Sequence, residues 1–143
     1  MTYDNPWTFD GIEFTDKDIG DSIGFVYVIT NLTTHKKYIG RKYFYSTRKQ
    51  KRTDTRRKTK FSDWKTYYSS SDDVLAEVEK YGTKNFRREI LSLHKTKGDT
   101  NINEVKEQFS RNVLEDDIYL NANINGKWRR PPSHIINARR YHR

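Results

Sequence analysis

Two tyrosines are spaced so that a pair of phenol groups could share one site. Tyr27 sits within Gly24-Phe25-Val26-Tyr27-Val28-Ile29-Thr30, and Tyr38 lies in Lys37-Tyr38-Ile39-Gly40 after a short polar stretch, 31–36. The first run is rich in β-branched and aromatic residues and predicts a strand, the polar stretch predicts a turn, and the second run predicts the returning strand. On the paired strands of such a hairpin the two hydroxyls come within reach of one site. A phenol alone, with a pKa near ~10, is a poor base at neutral pH, and a neighbouring cation makes its phenolate accessible. Cations follow closely in the chain. Between Lys36 and Lys65 thirteen Lys and Arg residues face only Asp54 and Asp63. The chain has no cysteine, which excludes a thiolate metal site, a cysteine nucleophile and a disulfide framework. His35 and His94 have no partner at metal-ligand spacing and read as surface residues.

The charge is segregated as well as large. The formal net charge is +9 over 143 residues. From Met1 to Gly24 the acids Asp4, Asp10, Glu13, Asp16, Asp18 and Asp21 oppose a single cation, Lys17. General solubility does not require that separation, whereas a polyanionic partner such as nucleic acid does. Ten tyrosines, seven phenylalanines and three tryptophans offset a modest hydrophobic fraction of 33% and argue for a packed core over disorder. The length suits one domain. No signal peptide and no membrane-spanning run are apparent, so the expectation is a soluble, cytoplasmic protein.

The elements that would position these groups follow from periodicity. Residues 1–23 read as an N-terminal arm anchored by Trp7, Phe9, Ile12 and Phe14. Residues 41–60 form a basic insertion with no apolar period and a helical start around Ser46-Thr47. Trp64, Tyr67 and Tyr68 fall at near-helical spacing. Ser71 is placed to cap a helix with Val74, Leu75, Val78 and Tyr81 on one face, ending at Gly82. Phe86 to Leu93 predicts a third strand. After a loop over 95–100, Asn101 and Glu104 resemble a capping box, and Ile102, Val105, Phe109 and Val113 form the apolar stripe of the next helix. Residues 118–120 suit a short last strand. A basic tail, 126–143, is broken by Pro131-Pro132. The expected class is α+β: a small mixed or antiparallel three-stranded sheet flanked by helices, in the order β-β-α-β-α.

Residues 24–125 resemble the GIY-YIG nucleases. Tyr38-Ile39-Gly40 matches the second signature motif, and Phe25-Val26-Tyr27 stands where Gly-Ile-Tyr is expected, with Gly24 one residue early. Tyr27 and Tyr38 keep the family's register. Arg48, eight residues past Gly40, falls where members carry an arginine, and Glu107-Gln108-Phe109 matches a glutamate followed by an aromatic residue. The flanks are also similar to small free-standing endonucleases of large tailed phages.

The resemblance implies a catalytic set of Tyr27, Tyr38, Arg48, Glu107, Tyr67 and Asn121. One tyrosine would accept a proton and the other orient the attacking water, with Tyr38 slightly preferred as base. Arg48 would hold the scissile phosphate, with Arg41 or Arg52 as alternatives, since a guanidinium is always charged and binds two oxygens at once. Glu107 would hold one Mg2+, or Mn2+, and the nearby Glu104 is the rival ligand, better explained as a capping residue. Tyr68 is the alternative to Tyr67, and Asn123 to Asn121. Arg41, Lys42, Lys49, Lys51, Arg52, Arg56, Arg57, Lys58 and Lys60 would contact the phosphate backbone. The implied activity is metal-dependent hydrolysis of DNA, double-stranded in expectation, by a homing-type or DNA-degrading endonuclease acting as a monomer or DNA-induced dimer. The competing reading is a non-catalytic basic nucleic-acid-binding protein. A carboxylate beside the tyrosine pair discriminates the two, because simple binding needs no acidic metal ligand.

Overall fold

A computed structural model describes residues 5–48 and 58–132. The class is α+β, built on a mixed sheet. Its centre is the predicted hairpin, β3 (Gly24–Asn31) and β4 (Lys37–Tyr43), extended by the predicted third strand, β7 (Phe86–His94), on the other side of β3. Both pairings are antiparallel. The sheet has five strands, two more than the sequence suggested. The N-terminal arm adds β1 (Thr8–Phe9), parallel to β7, and β2 (Ile12–Glu13) outside it, giving the order β2-β1-β7-β3-β4. Each is only two residues long, too short for its alternation to be visible.

All eight residues of β3 are buried, as its nearly unbroken apolar run requires. Its side chains alternate between two cores. Phe25, Tyr27 and Ile29 join Trp7, Phe14, Phe44, Trp64 and Phe86 on one face, under α1 (Asp72–Tyr81). Val26 and Val28 join Ile39, Val113, Leu114 and Ile124 on the other, under α2 (Lys97–Ser110). Ser71 caps α1 by accepting the Val74 amide, and Gly82 ends it at φ 85°.

Three local expectations fail for identifiable reasons. Helix is absent at Ser46-Thr47. β5 (Tyr45–Arg48) pairs instead with β6 (Lys58–Phe61), and Tyr45 stacks on Phe61 at 5.2 Å, a cross-strand aromatic pair that favours a hairpin. The near-helical spacing of Trp64, Tyr67 and Tyr68 gives only a 3-10 turn over Trp64–Thr66. The capping box at Asn101 and Glu104 is also absent. Thr96 is the N-cap, its hydroxyl accepting the Asp99 amide at 3.0 Å, so α2 starts earlier and Glu104 lies in mid-helix.

The earlier start goes with a different buried face. Thr100, Glu104 and Gln108 are buried, while Ile102 and Phe109 are about half exposed. The polar stripe wins because its groups are bonded there: the Thr100 hydroxyl to the Thr96 carbonyl, Glu104 to Arg41, and the Gln108 amide to the Ile39 carbonyl. Residues 118–120 supply a single parallel bridge, Lys37 to Tyr119, in place of a strand. Trp128 and Arg129, assigned to the tail by sequence, form β9 (Trp128–Arg129) against β8 (Asn123–Ile124). The expected surface residue His94 is 7% exposed, bonded to the Ser92 hydroxyl at 2.7 Å and to Asp99 at 2.5 Å, whereas His35 is exposed. Among the described residues no helix is long and apolar enough to cross a membrane.

Candidate active site

β4 is the last strand of the sheet, and its outer edge explains the site. An edge strand offers unpaired amides and carbonyls that need partners. Lys37 gives its amide to Ile118 and receives that of Leu120. Ile39 is held by Asn121, whose side-chain oxygen accepts the Ile39 amide at 3.1 Å and whose nitrogen donates to the Ile39 carbonyl at 2.8 Å. At Arg41 the partner is Glu104, which takes a hydrogen bond from the backbone and another, at 2.7 Å, from the guanidinium. Strand alternation puts Tyr38, Gly40 and Lys42 on the first core's face, and Ile39 and Arg41 on the α2 face. Around the edge at Gly40 the two faces meet in a cleft of about 910 Å³.

Tyr27, Tyr38, Tyr67, Arg41, Lys42, Glu104 and Gln108 all line this cleft. Tyr27 is paired in register with Gly40, and a side chain at residue 40 would collide with the Tyr27 hydroxyl, so the glycine gives that hydroxyl its room. The Tyr27 ring lies 6.3 Å from that of Tyr38 and 6.1 Å from that of Tyr67, centroid to centroid. The two-residue stem Tyr45 and Ser46 forms one wall, and Asn123, Asn125 and Gly126 of the β8–β9 turn form another.

Burial and crowding set the electrostatics. Burial, then the nearby Tyr67 and Tyr38, push the Tyr27 hydroxyl well above the usual phenol range, and a hydrogen bond with Tyr67 adds to this. The Tyr38 hydroxyl is pushed up to about 12 by burial and by Glu104, with Arg41 opposing. Burial also raises the Glu104 carboxyl above its usual range, although Arg41 pulls it down. The Lys42 ammonium sits 3.9 Å above the Tyr67 ring and bonds Asp63 at 2.6 Å, which holds that carboxyl below its usual range. The cleft thus gathers phenols and the cations Arg41, Lys42 and Lys97, with Asp72 and Asp73 from the start of α1 also on its wall, around a buried carboxylate, Glu104, held at a cost in desolvation.

The sequence-derived set divides here. Tyr27, Tyr38, Tyr67, Arg41 and Lys42 come together. Glu107 does not. It is paired with Arg111 one turn along α2, at 2.9 Å, and is not among the residues lining the cleft. Because α2 begins at Lys97, the residue that its axial turn brings to the cleft is Glu104, the carboxylate that the sequence had set aside as a cap. Asn121 is 2% exposed and spent on the Ile39 backbone; Asn123, its alternative, lines the cleft. Tyr68 bonds Asn5 and lies under Arg88, away from the cleft. Arg48 ends a strand instead of entering a helix, and its side chain lies outside the described part, as does that of Lys58. Lys49, Lys51, Arg52, Arg56 and Arg57, and the tail from residue 133 with Arg139 and Arg140, lie outside the described residues. Lys60 is exposed on β6. Sequence reasoning quoted Gln108 only as the residue between Glu107 and Phe109 and gave it no role. The signal was present as a polar stripe, Thr100, Glu104 and Gln108, repeating every four residues.

Residues 7–124 match the family model described as "Putative endonuclease segE, GIY-YIG domain". The chain belongs to this GIY-YIG family. The match runs from Trp7 in the first core through β8, so it takes in the arm, the tyrosine hairpin and the helix bearing Glu104. Comparisons with curated proteins and with solved structures gave no match. A nuclease domain is therefore the coarse assignment, and the GIY-YIG hairpin is β3–β4. Gly40, which the sequence places at the end of a Tyr-Ile-Gly motif resembling the family's second signature, is the residue that opens the sheet edge.

Proposed function

We propose that the chain is a divalent-metal-dependent DNA endonuclease whose catalytic carboxylate is Glu104. The observation that carries this reading is the convergence of Tyr27, Tyr38, Arg41 and Glu104 on one cleft at the open edge of the sheet. A binding protein has no use for a carboxylate held among phosphate-binding cations, whereas hydrolysis of a phosphodiester needs a proton acceptor, cations and an acidic ligand around one phosphate.

The donor set suits a hard cation. Among the described residues no three His, Cys, Asp or Glu side chains group together, so a site rich in protein ligands does not arise. Magnesium is commonly held through one or two carboxylates, the rest of its shell being water and substrate oxygens. Gln108 Oε1 is buried on the same helix face, one turn after Glu104, and has no hydrogen-bond partner among the described residues. An orphaned oxygen beside a buried carboxylate fits Mg2+ or Mn2+ held by Glu104 with Gln108 nearby. When bound, such a cation supplies stabilisation of charge on the phosphate oxygens.

The remaining work falls to the chain. Arg41, at the edge where the two faces meet, carries a guanidinium that can take two phosphate oxygens at once. Lys42 offers a second positive charge from the tyrosine face. Tyr38, less buried than Tyr27, is the base: its phenolate takes the proton from the attacking water and becomes the phenol. Tyr27, fixed in the core and hydrogen-bonded with Tyr67, orients that water. The basic insertion around Lys49 to Lys60 holds the backbone of a duplex, giving affinity without sequence information. One cleft cuts one phosphate, so double-strand cleavage takes two chains or two encounters. A homing-type or DNA-degrading role agrees with the family and with such a compact, unspecific electrostatic grip.

The test is cleavage of supercoiled plasmid by the unaltered chain and by Glu104→Gln, with Mg2+ or with EDTA. Nicked or linear product is expected only from the unaltered chain with metal. Retention of plasmid without any strand break, across Mg2+, Mn2+ and Ca2+, would return the chain to simple binding.

A further inference from the structure

A second aromatic surface lies just outside the cleft. Trp128 is 47% exposed and Phe109 is 46% exposed, their rings meeting edge to face with centroids 5.2 Å apart. The other two tryptophans, Trp7 and Trp64, are both core residues, so exposure at Trp128 is not general to the chain. Ile102, two turns before Phe109 on the same face of α2, is exposed too. The surroundings are cationic: Lys106, Lys127 and Arg129 are all exposed, and none enters an ion pair among the described residues. Glu107 is paired with Arg111 and Asp117 with Arg130.

This surface is continuous with the cleft. Asn123, Asn125 and Gly126 line the cleft, and the same β8–β9 hairpin carries Trp128. Phe109 lies on the face of α2 turned away from Gln108 and outside the cleft, so the link runs through the hairpin. From Glu104 to Phe109 is five helical residues, about 7.5 Å along the axis and about 140° around it, so the platform lies on the outer side of α2, beyond the cleft. At a rise of about 3.4 Å per nucleotide, the aromatic pair lies within a few nucleotides of a phosphate in the cleft.

We propose that Phe109 and Trp128 form a stacking platform for one unpaired nucleobase flanking the cleaved phosphate, so that the preferred substrate is duplex DNA interrupted by a gap, flap or fork. The proposal rests on the nuclease reading above. Aromatic faces stack on any base, and cations beside them neutralise the adjoining phosphates, the combination that holds unpaired strands. A base inside a duplex presents no free face, so the platform discriminates by pairing and not by sequence. A second copy of the chain fits less well. Three exposed apolar side chains fall well short of the roughly 800 Å² per partner of a stable interface. A two-fold contact here would also set Lys106, Lys127 and Arg129 against their own copies.

The test uses the full chain carrying Glu104→Gln, so that no probe is cut, with a fully paired duplex and the same duplex bearing a short gap. Anisotropy titration should give about tenfold tighter binding to the gapped probe. Trp128→Ala should remove that preference while leaving affinity for the paired probe nearly unchanged, and Trp128→Phe should retain most of it. Tryptophan emission should be quenched by the gapped probe alone. Should Trp128→Ala fail to fold, Phe109→Ala and the quenching decide. Equal affinity for both probes, or equal loss on both, overturns the platform. So does a dimer in sedimentation that Trp128→Ala converts to monomer with DNA binding unaffected. Plasmid cleavage by the unaltered chain is scored separately. Its absence with the gap preference intact overturns the nuclease reading alone, and cleavage without a gap preference overturns the platform alone.

Discussion

Adding one methyl group at residue 40 strikes the site at its narrowest point. The Cβ of Gly40→Ala would stand 2.5 Å from Tyr27 Cζ and 3.0 Å from Tyr38 Cε1. Restoring an ordinary carbon–carbon contact of about 3.5 Å to the first of these requires a displacement of roughly 1 Å. The Tyr27 ring cannot supply it. It is 1% exposed and boxed by Trp7 at 5.2 Å, Phe25 at 6.0 Å and Tyr67 at 6.1 Å. The edge of β4 must move instead, although Asn121 and Gln108 hold it at Ile39. Overpacking of this kind costs about 1–3 kcal/mol, which for a chain of this size lowers Tm by roughly 3–9 °C. A misplacement of about 1 Å among reacting groups costs on the order of 100-fold in rate. The assay is single-turnover nicking of supercoiled plasmid beside thermal unfolding. Gly98→Ala is the control, because nothing lies within 4 Å of a Cβ there. It should leave nicking unchanged and add up to about 1 kcal/mol through helix propensity. Nicking by Gly40→Ala within about twofold of the unaltered rate, at unchanged Tm, would refute the claim that this glycine makes room for the phenol.

Glu107→Gln should cleave normally and change stability by less than about 0.5 kcal/mol, since it breaks only a partly exposed pair one turn apart on α2; loss of metal-dependent nicking would restore Glu107 as the ligand. Asn121→Ala removes two hydrogen bonds to the buried Ile39 backbone and should cost about 1–3 kcal/mol, read as a Tm lower by roughly 3–9 °C, with a fall in kcat but little change in DNA affinity. With the Tyr38 hydroxyl at about 12, the fraction available as base grows about tenfold per pH unit, so nicking should climb from pH 7 to 9 without a plateau, and Tyr38→Phe should abolish the climb. A flat profile would remove Tyr38 from that role. Glu104 is raised by burial, so its folded state binds the proton more tightly than the unfolded chain. That preference stabilises the fold below the ordinary glutamate range and is lost as pH rises through the raised folded value. Glu104→Gln should therefore melt higher than the unaltered chain at pH 7, the gain vanishing at acid pH. An equal or lower Tm at pH 7 would show that the Arg41 pair outweighs the burial.

The hairpin and the strand after it were legible because their signals are local. β-branched and aromatic runs mark β3 and β7, and polar residues mark the turn. Ser71 and Gly82 bound α1 by their own chemistry. The misses came where tertiary partners outvoted local pattern. The sequence offers α2 two faces, one with Ile102 and Phe109 and one with Thr100, Glu104 and Gln108. Apolar periodicity favours the first. Only knowledge of the unpaired edge of β4, with Ile39 and Arg41 requiring partners, favours the second. Likewise, nothing in a basic run lacking apolar period indicates that Tyr45 and Phe61 will stack and close a hairpin across it.

Which of the two carboxylates reaches the cleft was hidden in the sequence for the same reason. A cap and a catalytic ligand are both glutamates near a helix start, and choosing between Glu104 and Glu107 depends on where the helix begins. Thr96 sets that start by capping Asp99, and a shift of one turn at the N-terminus decides which acid faces β4. The edge strand then binds fold to chemistry. The ends of β4 are closed by residues 118–121 and by Ser62, which donates its hydroxyl to the Tyr43 carbonyl. Between them only Gly40 and Arg41 are left to meet a carboxylate from one face and phenols from the other. A sheet with one more strand beside β4 would satisfy Arg41 with backbone and separate the two faces. The open edge, usually a liability to be covered, is here what brings groups from opposite sides of a sheet into a single cleft.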